Sequence, residues 1–378
     1  MTQLTVKDII NQFESFAPTS FAMEGDPVGL HFGSKDQQIH KIMVSLDIRP
    51  QVVQEAIEKG VNFILVHHPP IFRPIKRFDL SNPQTAMYAD IIKHNIAVYA
   101  AHTNLDIAPG GINDWLAQAL DLHDIEVLSP TQEFMLRKLV VYVSKTASDT
   151  VRLALTKAGA GQLSDTYADC SFTSSGFGRF KPLEGAKPAI GQVGYEEVVE
   201  EDRIEMIFYS NQLSHVIAAL LESHPYEEPA YDILSLENSG TSIGLGRVGN
   251  LSQPYSLKEL LELVAKKWEV DALRYILPTK NKEDVYQRVA LCGGAGSEFY
   301  TDALKTQADV YITGDITYHH AHDMQESQLT VIDPGHHTEK ICIPRLTTLL
   351  NQWKEVYQWQ VDIIPSTTNT EPFHFYTK

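Results

Sequence analysis

The stretch KIMVSLDIRPQVVQEAIEKGVNFILVHHPPIF, residues 41–72, changes period and changes back. KIMVSLDI reads as a strand, PQVVQEAIEKG as a helix closed by Gly60, and NFILVHH as a second strand. A helix of that length between two strands implies a right-handed crossover and a parallel pair. The second strand ends on His67 and His68, followed by Pro69 and Pro70. Neighbouring side chains on an extended strand face opposite sides, so both imidazoles reach one place only if the strand stops there and the backbone turns. The prolines supply the turn.

Outward from this unit the alternation continues. TAMYADIIKHN and INDWLAQALDL read as helices on either side of the strand IAVYAAH, and upstream Val6, Ile9, Ile10 and Phe13 repeat at helical spacing. A second series starts at Ser256. SLKELLELVAKKW opens with a capping box of Ser256 and Glu259. RVALCGG, DVYITGD and LTVIDPG follow as strands separated by SEFYTDALKTQ and a His-rich segment as helices, and TEKICIPRLTTLLNQW ends the series as a helix strained at Pro344. The two series read as halves of one α/β architecture built on a parallel sheet.

Residues 134–236 read differently. Strand KLVVYVS, helix TVRLALTKAGA, a Gly-rich hairpin through CSFTSSGFGRFKP, strand RIEMIFYS, helix LSHVIAALLESH and strand YDILSLE make a βαββαβ series. That order is the signature of a ferredoxin-like α+β unit, which folds on its own. The expectation is therefore three segments: residues 1–133 and 237–378 as the halves of one discontinuous domain, and 134–236 inserted between them, joined through PTQEF and ENSGTSIGLGRVGN.

Composition narrows the function classes. A chain of 378 residues that is 43% hydrophobic has material for two or three cores. A formal net charge of −17 argues against wrapping a nucleic acid, because such binding draws on clustered Lys and Arg. Cys170, Cys292 and Cys342 lie far apart with no CxxC pair, which argues against a disulfide framework or a thiolate zinc site and fits a reducing compartment. No secretory apolar block or membrane-length apolar run occurs, so a cytoplasmic location is expected, with no membrane partner.

The chemistry-bearing residues gather at strand ends, where open α/β sheets bind their ligands. Asp47, then His67 and His68, then His102 and Asp106 in AAHTNLD end the strands of the first half. Asp315 in ITGD, and Asp333, His336 and Glu339 in VIDPGHHTEK, do so in the second. Imidazole with carboxylate suits zinc, iron or manganese, whereas calcium wants oxygen alone. Short tethering keeps adjacent histidines from serving one ion well, so the natural reading is one histidine per ion with a bridging carboxylate: a dinuclear site. His336 and Glu339, three apart where a turn enters a helix, share a face. His102 has three readings: a ligand, a proton shuttle, or an outer residue that orients Asp106. His319, His320 and His322 read as a polar helix face. Arg73, Lys76 and Arg77 read equally as a substrate-phosphate contact or as a solvated loop.

Two glycine patterns differ in weight. GLGRVG, residues 244–249, matches GxGxxG but runs on into NLSQPY with no helix, so it is not a dinucleotide fingerprint. GGAGS, residues 293–297, sits between a strand and a helix, where its glycines serve either an anion or tight packing. No Walker A pattern is present.

DPVGL, LVHHPPIF, AAHTNLD, GGAGS, YITGD with His319, and DPGHHTEK, in this order, resemble the dinuclear-metal-centre family of GTP cyclohydrolase 1 type 2 homologs over nearly the whole chain. The resemblance implies two divalent ions, zinc first with iron or manganese as alternatives, held by His67, His68, Asp106, His336 and Glu339. It also implies a toroidal homohexamer and, in long members, an inserted PII-like domain, which FKPLEGAKPAIG and HPYEEPAYDI resemble here. Members often carry Trp where this chain has Gly25, and His320 and His337 stand where another residue is common, which leaves open whether His336 or His337 ligates. The activity implied is metal-dependent hydrolysis of a nucleotide, with hydroxide attack on the purine ring and release of formate. His102 is the candidate acid or base. The alternative is a non-catalytic metal-binding, regulatory or scaffold protein whose inserted module senses a ligand.

Overall fold

A computed structural model describes residues 4–162, 166–280 and 285–376. It divides into two compact units: residues 1–131 with 243–378, and residues 132–242.

The first unit starts with helix α1 (Val6–Phe16), whose capping box joins Thr5 and Asp8 and whose buried face is Val6, Ile9, Ile10 and Phe13. Then come β1 (Gly29–Phe32), β2 (Lys41–Ser45), α2 (Pro50–Glu58), β3 (Phe63–Val66), α3 (Pro83–Lys93), β4 (Ala97–Ala100), the short helix α4 (Thr103–Ile107), α5 (Ile112–Ala119) and β5 (His123–Phe134). The second unit holds β6 (Leu136–Ser144), α6 (Ser148–Lys157), β7 (Phe172–Phe180), β8 (Glu197–Tyr209), α7 (Leu213–Ser223) and β9 (Tyr231–Ser235). The chain returns through β10 (Thr241–Tyr255), α8 (Leu257–Lys267), β11 (Arg274–Ile276), β12 (Tyr286–Leu291), α9 (Tyr300–Lys305), β13 (Val310–Ile312), α10 (Tyr318–Glu326), β14 (Thr330–Asp333), α11 (Cys342–Tyr357) and β15 (Asp362–Pro365).

Two sheets organise the first unit, in the orders β1-β4-β3-β2-β15 and β11-β14-β13-β12-β10-β5. Each has the expected parallel centre, β15-β2-β3-β4 in one and β12-β13-β14 in the other. Neither is purely parallel: β1 runs antiparallel on β4, and β11 and β10 run antiparallel on β14 and β12. β3, β4 and β13 are buried at every position because both faces of the sheet are covered there. Ile42, Val44, Phe63 and Leu65 face a core that also takes Phe13, Leu116, Leu291, Ile312 and Leu346, so the two sequence halves share one interior. Met43, Ile64 and Val66 face the opposite way, against Val52 and Val53 of α2 and Tyr88 and Ile91 of α3. Each such aliphatic side chain contributes about 1.5–3 kcal/mol by leaving water.

The second unit is a four-stranded antiparallel sheet in the order β7-β8-β6-β9, crossed by α6 and α7. Its own core is Leu139, Val141, Val151, Leu155, Ile204, Met206, Phe208, Val216 and Leu220. The observed element order is βαββαβ, with the fourth strand beside the first.

Two local readings change. The helix expected from TEKICIPRL begins as a 3-10 turn, His336–Ile341, and α11 proper starts only at Cys342. Pro344 therefore sits in the first turn, where its missing N–H has no intrahelical partner to lose, and no strain results. PTQEF and ENSGTSIGLGRVGN lie largely within strands β5 and β10 rather than in loops. Glycines in β10 allow a close approach: a Cβ on Gly244 would stand 2.1 Å from the Ser129 carbonyl oxygen, and one on Gly246 2.6 Å from that of Leu291.

Among the described residues no helix is long and apolar enough to cross a membrane.

Candidate metal centre

The carboxyl ends of the central strands in both sheets deliver side chains to one place. β3 ends into His67 and His68, and β4 into His102 and then Asp106 on α4. β13 runs into Asp315, and β14 into Gly335 and the 3-10 turn carrying His336 and Glu339. On a 3-10 turn residues three apart eclipse, which sets the His336 Nε2 3.1 Å from Glu339 Oε2.

Four imidazoles are oriented by one device. His67 Nδ1 lies 2.7 Å from the Ala101 carbonyl, His68 Nδ1 2.8 Å from Asp47, His102 Nδ1 2.8 Å from Asp26, and His336 Nδ1 2.8 Å from Asp315. Each Nδ1–H donates to an oxygen, so each Nε2 is turned inward, where a cation that displaces any proton it carries can take its lone pair. This is how ligating histidines are held in metal proteins. Asp26 is itself fixed by the amide and hydroxyl of Thr103.

The inward groups converge on Glu339, which is 3% exposed. Its Oε2 lies 3.0 Å from His68 Nε2 and 3.6 Å from His67 Nε2, while His67 Nε2 is 3.7 Å from Asp106 Oδ1. The donor atoms fall into compact sets: His67 with Asp106 and Glu339, His68 with His336 and Glu339, and His67 with His68 and His102, the atoms of each set lying within 4.8 Å of one another. Glu339 belongs to the first two sets.

Polar groups so deeply buried need partners, yet His67 Nε2 and Asp106 Oδ1 have no hydrogen bond. Two buried carboxylates side by side, each costing several kcal/mol to desolvate as an ion, call for compensating positive charge. In the chain by itself protons supply it. Burial works against the charged His68 imidazole, but hydrogen bonds to Asp47 and Glu339 outweigh it and push the pKa up to about 10. His336 is pushed up to about 9 in the same way, burial being overcome by Glu339 and Asp315. Burial, with Glu339 beside it, pushes the Asp106 carboxyl up to about 8. Glu339 is also disfavoured by burial, but His67, His336 and His68 together hold it well below the ordinary carboxylate range. Orphaned ligand atoms, preset tautomers and a shared carboxylate together fit divalent cations.

The other candidates sort by position. His336, and not His337, is among the converging donors. His102 takes Asp26 as its partner rather than Asp106, so of its three readings the orienting one is not what the hydrogen bonds provide. Asp47 and Asp315 orient histidines, whereas Asp333 folds its own loop by accepting from the amides of Ile316 and Gly335 and from Arg274. His319 and His322 are exposed and His320 is half-buried on α10, a polar face. Arg73, Lys76 and Arg77 lie exposed in the loop after His68. The GGAGS loop packs against the centre, for a Cβ on Gly294 would lie 2.5 Å from Glu339 Oε1. Asp26 was missed as an orienting residue, although it stands inside DPVGL.

Above the cluster is a cavity of about 940 Å³, lined on its floor by His68, His102 and His336 and on its walls by Arg49, Phe72 and the segment 370–375.

This fold and cluster define an α/β protein with a histidine–carboxylate group suited to divalent metal. Residues 4–372 match the profile of the Duf34/NIF3 (NGG1p interacting factor 3) family, and the chain belongs to that family. It is 45% identical over 369 residues to the GTP cyclohydrolase 1 type 2 homolog of Bacillus subtilis (strain 168), covering 98% of each chain. The protein of the same name in Streptococcus pneumoniae serotype 4 is 35% identical over 375 residues, with 98% and 99% covered. Among solved structures, a Bacillus cereus protein related to NIF3 superimposes with a TM-score of 0.90 at 39% identity, covering all of both chains.

Proposed function

We propose that the cluster is a dinuclear divalent-metal centre, and that the protein is a metal-dependent hydrolase acting on a nucleotide or related small molecule. The observation that carries the reading is the shared Glu339 oxygen, flanked on one side by His67 with Asp106 and on the other by His68 with His336. Zinc suits these ligands, with iron or manganese as alternatives. Divalent cations held there would lower the pKa of water towards neutrality and polarise an acceptor group.

The chain's own residues do the rest. The Nδ1 bonds to Ala101, Asp47 and Asp315 preset the ligand geometry. His102, its Nδ1 on Asp26, keeps Nε2 beside the centre as an acid or base. The cavity gives room for a nucleotide-sized molecule, and Phe72, 60% exposed at its edge, offers a ring face to a flat base. The name shared by the relatives points to a purine substrate, with ring opening and release of formate.

GTP incubated with the zinc- or manganese-loaded protein is expected to release formate. If turnover does not exceed the metal-free control for GTP or for a panel of other nucleotides, the hydrolase reading fails. The inserted unit reads as a PII-like module, and in the alternative, non-catalytic reading it senses a ligand. Its support is the motifs noted above and a cavity of about 950 Å³ beside Phe177, Arg179, Glu201 and Tyr226. A toroidal hexamer is the expected assembly, checked by light scattering.

A further inference from the structure

The segment after β15 makes contacts that an idle tail would not need. Glu55 sits in α2 with only 9% exposure, and a buried carboxylate inside a helix requires donors. It finds them in this segment. Its oxygens accept from the Ser366 hydroxyl at 2.6 Å, the Thr367 amide at 2.9 Å and hydroxyl at 2.7 Å, and the Thr368 hydroxyl at 2.8 Å and amide at 3.3 Å. Lys59 adds an ion pair at 2.6 Å. Two residues further on, the Thr370 hydroxyl donates to Asp47 Oδ2, while Asp47 Oδ1 accepts from His68 Nδ1. Glu371 to Phe375 then run along the wall of the cavity above the cluster.

We propose that the segment 366–375 is a built-in strap that sets one half of the metal centre: anchored on Glu55, it fixes Asp47 through Thr370, and Asp47 fixes His68. Thr370 is thus a positioning residue for the ion held by His68 and His336, with no part in the ion held by His67 and Asp106. This rests on the two-ion reading above. The physical reason is that Asp47 has one oxygen for each neighbour. With Thr370 bound, the carboxylate cannot rotate, and the His68 ring plane is locked with Nε2 on Glu339. Without Thr370, Asp47 Oδ2 lacks its donor and the ring gains freedom. Loss of an imidazole's direct partner costs about 10- to 100-fold in metal affinity, and because Thr370 acts one step further out, through Asp47, the lower end, about tenfold, is expected for it.

The test uses the full chain and cobalt(II) as the probe, with ion uptake followed by d–d absorption and by competition against a chromophoric chelator. The wild type is expected to bind two ions. Thr370→Val should weaken one of them about tenfold and alter its absorption band, leaving the other unchanged, and Thr370→Ser should restore both. Glu55→Gln, which loosens the anchor without touching Asp47, should weaken the same ion. Unchanged affinities in Thr370→Val, equal weakening at both positions, or no rescue by Ser overturns the proposal. A wild type that binds a single ion refutes the two-ion reading instead, and Thr370→Val is then compared with His68→Ala on that ion: no common loss removes the strap as well.

Discussion

Replacing Glu339 by Gln keeps the shape of the side chain, removes its charge and turns one ligating oxygen into an amide nitrogen that cannot ligate, so it probes the shared-ligand geometry directly. One oxygen of Glu339 lies 3.0 Å from His68, 3.1 Å from His336 and 3.6 Å from His67, so any ion in either set faces it. Removing one partner of a buried charge pair costs about 3–5 kcal/mol. At about 1.4 kcal/mol per tenfold, that is a loss of about two to four orders of magnitude in affinity. Because Glu339 belongs to both sets, Glu339→Gln should weaken both ions. Asp106 belongs only to the set with His67, so Asp106→Asn should weaken one ion and spare the other. Chelator competition with zinc, scored as ions bound per chain, separates the two patterns. Retention of both ions in Glu339→Gln, or equal loss of both in Asp106→Asn, would refute the shared-carboxylate geometry.

The remaining expectations concern stability and the surroundings of the centre. In the metal-stripped protein His68 and His336 titrate near 10 and 9, above their unfolded value of about 6.5, so the stability they contribute is complete below about pH 6.5 and is lost as pH rises through 9 to 10. Asp106, raised to about 8, acts in the same direction, since its ionisation is resisted only in the folded state. The melting temperature of the stripped protein should therefore fall across pH 6.5–10 and that of the loaded protein should not; a stripped protein that grows more stable over that range contradicts the assigned charges. His68→Ala should lower metal content with the helical circular dichroism intact, whereas a large loss of helical signal would make the histidine pair structural. Gly294→Ala places a Cβ against Glu339 at a backbone φ of +59°, and should destabilise by about 1–3 kcal/mol and reduce ion content, as read by denaturation and elemental analysis. Arg247, 3% exposed, forks onto Asp114 at 2.6 and 2.8 Å, so Arg247→Leu should cost about 3–5 kcal/mol, and adding Asp114→Asn should recover part of it; additive losses in the double variant would mean that the pair is not coupled.

Much of the architecture was legible because it rests on period and punctuation. The apolar runs of β2, β3 and β4 are continuous, with helices between them that start at a proline or end at a glycine, and such units have only one common handed solution. The antiparallel edges were not legible: β1 has four residues and β11 three, too few to show a period. β5 and β10 contain Pro130, Pro254 and several glycines, which read as linker chemistry although the glycines serve close strand approach. At the site, histidines and carboxylates at strand ends were visible as types and places. Which carboxylate binds metal and which orients an imidazole was not, because Asp47, Asp106 and Asp315 are alike in sequence and differ only in burial and in the nitrogen they face. Thr370 lies 323 residues from Asp47, and no local pattern encodes that pairing.

X-ray absorption and anomalous diffraction on the zinc-loaded protein test the central claim most directly. Two ions about 3.5–4 Å apart are predicted, with Glu339 common to both, His67 and Asp106 on one, and His68 and His336 on the other. A single ion, or two ions with no carboxylate in common, would contradict it.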